Sequence, residues 1–118
     1  MGMAWLMSEA RVLASVDVAC GHRERAKGLL GRQSLEGAFA IPNCRWVHTV
    51  GMRFPIDVAF VDSNDVVIKI VTMKRHRIGL PVSQSRTVIE ATAGAFERWG
   101  LQVGNPIEIR EAAPDATH

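Results

Sequence analysis

Cysteine is scarce in this 118-residue sequence: Cys20 and Cys44 are the only two, and no CxxC occurs. That excludes a disulfide framework, which small domains need only when they cannot build a core. A Cys20–Cys44 bridge stays geometrically open, but two reduced, structural thiols are the expectation. Long hydrophobic runs are also missing: no window reaches the roughly 18 apolar residues of a membrane-spanning helix. No lysine or arginine precedes residue 11, and the opening apolar run is too short for a signal-peptide core, so the cytoplasm is the default compartment. Charge of one sign is not in excess. Fourteen basic against twelve acidic residues leave +2, which predicts no large basic surface and hence neither a nucleic-acid nor a membrane partner. There is no G-x-S-x-G, no phosphate loop and no dinucleotide fingerprint; the glycines of "GLLGR" close a helix where a phosphate cradle would open one. His22, His48, His76 and Cys44 follow no recurring ligand spacing, so neither a metal nor another cofactor is expected.

What is present is the composition of one soluble globular domain, 47% hydrophobic and 22% charged. With Met1, Met3 and Met7 all available as starts, residues 1–9 are expected to be a flexible extension. Residues 10–111 form the domain, and the small polar residues 112–118 form a tail. Val12, Ala14, Val16 and Val18 share one face of a half-buried strand. In "HRERAKGLLGR", Ala26, Leu29 and Leu30 fall at helical spacing, which predicts a short helix from Arg23 to Leu30 lying tightly on a sheet through Gly28. "AFAI", "RWVHTV" and "RTVIEAT" read as strands. "VAFVD", a Ser63-Asn64-Asp65 turn and "VVIKIVT" read as a β-hairpin whose first arm is central. "MKRHRIGLPVSQS" reads as a loop with a brief extended piece near Ile78. "AGAFERWG" gives one or two helical turns closed by Gly100, before a final strand in "LQVGNPIEI". The fold class is therefore mainly β, a β-sandwich or barrel-like single domain. One short helix packs on its sheet and a helical turn lies near the C-terminus.

Polar residues interrupt segments otherwise built for a core. In "WVHTVGMRFPIDVAF", His48 is costly among Trp46, Val47 and Val50 unless it has a partner. Arg53 and Asp57 stand on the shoulders of a bend made by Gly51 and Pro55. A carboxylate at such a strand entrance commonly accepts backbone N–H groups, the first expectation for Asp57; its alternatives are a ligand contact, or the group that orients His48 as a general acid or base. Glu90 lies inside an apolar strand and either faces water or pairs with Arg25, Arg32 or Arg53. Cys44 and His48, four residues apart, stand about 13 Å from each other on a strand, too far for proton transfer. The cationic clusters around Arg25 and around Lys74 to Arg77 read as solvated faces.

"RAKGLLGR", "HTVGMRFPIDVAFVD" and "VIEATAGAFERWGLQVGNPIEI" together resemble domain-of-unknown-function family 192, small prokaryotic proteins, over Val12 to Ile109. The resemblance implies a mainly β domain with one helix packed on it, and no established activity. Its recurring positions match Arg25, Gly28, Leu29 and Arg32, then His48, Thr49, Met52, Arg53, Pro55 and Asp57, then Glu90 and Gly94. Many relatives are exported, whereas this sequence shows no signal.

Three functions follow as expectations. The first is a non-enzymatic, monomeric binding module for a small polar or anionic ligand, held by Arg25, Arg32, His48, Thr49, Arg53, Asp57 and Glu90. The second is a protein-interaction domain using a sheet edge or the Met52–Phe54 rim. The third is an enzyme with His48 as general acid or base oriented by Asp57.

Overall fold

The computed structural model describes residues 4–19 and 36–111. Seven strands follow in chain order: β1 (Ala4–Ser8), β2 (Arg11–Val18), β3 (Ala38–Pro42), β4 (Ile56–Val61), β5 (Val67–Met73), β6 (Thr87–Thr92) and β7 (Glu108–Glu111), with a helix α1 (Ala95–Trp99) between the last two. They form one sheet in the order β5-β4-β6-β3-β2-β1-β7. Every pairing is antiparallel except β2 with β3. The ends of that order approach each other, because Val66 bridges Pro106, and Val67 exchanges N–H and C=O with Asn105 and Gly104. The mainly β body is as expected; its sheet curls far round yet does not close into a barrel.

Alternation along the strands explains the two cores. On the inner face, Ala38, Ala40, Ala59, Ile89 and Ala91 point towards Leu6, Val16, Phe96, Leu101 and Ile107. Small residues line this side because the curled sheet leaves little width inside. On the outer face, Phe39, Ile41, Ile56, Val58, Phe60 and Val88 are larger. They are covered by Val47, Met52 and Phe54 from the connection between β3 and β4. β4 is buried along its whole length, as its doubly apolar sequence requires.

Three expectations are corrected. The flexible extension predicted over residues 1–9 is replaced, from Ala4 to Ser8, by a strand held on both sides by β2 and β7. Leu6 there is fully buried and the Ser8 hydroxyl donates to Pro106 O at 2.6 Å. "RWVHTV" forms no strand of the sheet; its apolar residues lie across the outer face instead, with only His48 bridging Ile78. Met52 and Phe54 are core residues at 4% and 8% exposure, so they offer no interaction rim. The helix predicted from Arg23 to Leu30, and with it Cys20, Arg25 and Arg32, lies outside the described residues.

Candidate functional site

Asp57 begins on the inner face, opposite Ala91 and Thr72. One carboxylate oxygen accepts the N–H groups of Gly94 at 2.9 Å and Phe96 at 3.2 Å; the other accepts the Thr72 hydroxyl at 2.7 Å. The start of α1 has no cap of its own. Its free N–H groups are met instead by a carboxylate from a strand 37 residues earlier in the chain. Asp57 is 4% exposed and fully committed to this anchor.

His48 lies on the opposite side of the sheet. The two connections that cross the outer face, residues 43–55 and 74–86, run antiparallel and zip together. Val82 N–H donates to Arg45 O, Gly79 N–H to Val47 O, and Thr49 N–H to Arg77 O. Gly79 is required there, because an added Cβ would sit 2.9 Å from Val47 O. In this ribbon Val47 and Thr49 point inwards, while Trp46, His48 and Val50 point outwards. His48 Nδ1 accepts the Val50 N–H at 3.3 Å, and its ring lies 5.3 Å from that of Trp46. His48 and Asp57 are thus separated by the thickness of the sheet, and Asp57 does not orient the imidazole.

Thr49 is the knot of the ribbon. Its hydroxyl donates to Lys74 O at 2.6 Å and accepts the Arg77 N–H at 2.8 Å, while its carbonyl accepts from Met52 and His76. The side chain is wholly buried. Thr49→Val keeps the shape and strands an N–H and a C=O. A loss of about 2 kcal/mol in urea unfolding is expected, at the usual cost of unmet buried polar groups. A loss near zero would mean the 74–77 turn holds itself.

Glu90 is buried on the outer face between Phe39 and Val58. Burial raises its pKa from 4.5 to about 7. Arg53 is exposed, and among the described residues no ion pair reaches Glu90; the one pair there is Arg110 with Glu108. Among the described residues the predicted site is spread over both faces: Asp57 anchors α1 on the inner face, Thr49 ties the ribbon, and His48 and Glu90 lie on the outer face. Arg25 and Arg32 lie outside the described residues. Among the described residues no three His, Cys, Asp or Glu side chains gather as a metal site.

A groove does exist, at a place the polar motifs did not indicate. It runs beside the edge strand β5 on the outer face and encloses about 440 Å³. Lys69, Val71 and Met73 come from β5, Phe60 lies beside Lys69 on β4, and the far wall is Lys74, Arg77, Ile78 and Leu80. Three cations and no carboxylate line it. One sequence signal could have found it: from Val66 to Ile89 there is no acidic residue and there are five basic ones.

Comparison with known proteins bears on the fold and leaves the chemistry open. The family model DUF192, described as uncharacterized ACR, matches residues 5–109. A UPF0127 protein of Pyrococcus furiosus is 32% identical over 62 residues, 52% of this chain and 53% of that protein. The UPF0127 protein of Pyrococcus horikoshii is 36% identical over the same length, 54% of its own. The match thus spans about half the length of these curated relatives. A Novosphingobium aromaticivorans protein of unknown function superposes with a TM-score of 0.74 at 21% identity, over 90% of this chain and 83% of its own. A Sinorhizobium meliloti protein, provisionally described as a transcription regulator, does so with 0.76 at 19%, over 92% of each. At such identities the likeness shows the fold alone.

Proposed function

We propose, for a chain that belongs to the DUF192 family and takes from it a fold but no assigned activity, a non-enzymatic binding module. Its groove beside β5 takes a small anionic ligand that also carries an apolar portion. The observation behind this reading is the lining: Lys69, Lys74 and Arg77 around Phe60, Val71, Met73, Ile78 and Leu80. A volume of about 440 Å³ suits a small molecule, since ligand pockets commonly hold roughly 300–1,000 Å³. The apolar floor supplies affinity by leaving water. The cations supply direction, because a forked guanidinium and two ammonium groups form charge-assisted hydrogen bonds to a carboxylate, sulfonate or phosphate. Thr72, the one hydroxyl-bearing residue of the lining, commits that hydroxyl to Asp57 on the inner face, which favours binding over turnover.

Anilinonaphthalene sulfonate, an aromatic anion whose fluorescence rises when it leaves water, is the probe. Wild type is expected to bind it saturably, and Lys69→Glu with Arg77→Glu to weaken binding at least about tenfold, the loss of two charge-assisted contacts. Equal binding by wild type and the double variant, at unchanged melting temperature, would overturn the reading.

A further inference from the structure

We propose that the outward face of the ribbon, centred on Trp46, Val50, Ile78 and Leu80, is a docking surface for an anionic lipid bilayer. These four are exposed by 43%, 47%, 71% and 77%, and they make up four of the six large apolar side chains left open among the described residues. Their clustering is a consequence of the zipped ribbon: the residues alternating with them on the 43–55 side, Val47 and Thr49, are buried. Exposed apolar patches of this kind mark protein or membrane contacts.

Charge decides between the two. Residues 37–56 and 66–89 carry seven basic side chains and no acidic one, leaving seven basic against twelve acidic elsewhere, a balance of −5. The two ribbon segments themselves, 43–55 and 74–86, hold six of these cations, all exposed, so the average of +2 says nothing about this face. Such an asymmetry turns the ribbon towards an extended anionic plane, and each cation brought close to one strengthens binding roughly fivefold. A folded protein partner would need carboxylates matched to cations scattered over two segments, and a recess for Ile78 and Leu80. A fluid bilayer needs neither, because headgroups rearrange around the cations and acyl chains around the tips.

The ribbon is also prepared for low dielectric. The Trp46 indole N–H already donates to Gly79 O at 2.7 Å, and Gly79 N–H to Val47 O at 3.0 Å. Inserting the tip therefore strands none of these polar groups. Among the described residues no helix is long and apolar enough to cross a membrane; the binding proposed is lateral docking of the ribbon face.

The test sediments the full chain with vesicles of phosphatidylglycerol and phosphatidylcholine in equal parts, and with phosphatidylcholine alone. Binding to the anionic vesicles is expected to be at least about tenfold tighter and to fall away near 0.5 M salt, where screening is strong. Val50→Ser combined with Ile78→Ser is expected to weaken it by about tenfold as buried methyl groups are lost. Val50 lies outside the groove, so Val50→Ser alone should weaken vesicle binding and leave the sulfonate probe untouched. Brominated lipid should quench wild-type fluorescence and spare Trp46→Phe. Equal binding to neutral vesicles, or anionic binding indifferent to the serine variants, overturns the proposal. So does a stable dimer in solution that Val50→Ser with Ile78→Ser dissociates, since a second copy would then cover the face.

Discussion

Asp57→Ala is expected to destabilise the protein by about 4 kcal/mol, a large part of the total for a domain of this size. Three donors lose their acceptor at once: the N–H groups of Gly94 and Phe96 and the hydroxyl of Thr72. Two of them open a five-residue helix that carries Phe96, 2% exposed, into the inner core. So short a helix has too few internal bonds to stand alone. Its position depends on the carboxylate below it. Asp57→Asn should fall between wild type and alanine, because an amide presents one acceptor oxygen where the carboxylate uses two. Urea unfolding measures both. A change under about 1 kcal/mol for alanine would show that α1 holds its place by packing alone.

Glu90→Gln is expected to stabilise the protein, and only at high pH. Burial raises the Glu90 pKa from 4.5 to about 7, so between those values the folded state holds a proton that the unfolded state has released. Stability therefore falls as pH climbs through that window, and the penalty is complete above about 7. A shift of that size corresponds to about 3 kcal/mol. Glutamine has the shape of the protonated acid and no charge to bury. The variant should match wild type near pH 4 and exceed it by up to about 3 kcal/mol near pH 8, read from urea unfolding across the range. A constant difference at all pH values would mean that folding leaves the Glu90 pKa where it is in the unfolded chain.

The β4–β5 hairpin was legible because two β-branched runs flank a short polar turn, and its central arm shows as apolar residues at every position. The strand of β6 and the Gly100 stop of α1 were legible for equally local reasons. β1 was not: its "AWLMS" lies among three possible starting methionines, and what fixes it, pairing with β7 at the far end of the chain, leaves no local mark. "RWVHTV" has the density of a strand because it covers one, and covering and pairing demand the same apolar residues. For Asp57, backbone capping was foreseeable, but the groups it caps are some forty residues away. The groove escaped notice because Lys69 and the Lys74–Arg77 cluster each pass for a solvated face. Only the register, setting Lys69 beside Phe60 and Met73 beside Ile56, gives those cations an apolar floor.

Ala4 stands directly opposite Glu111 in the sheet. The two lie 107 residues apart in sequence, so β1 keeps one flank bare until the segments between them have come together. Contacts of such long range form slowly, which makes the seam between β1 and β7 the natural final stitch of folding.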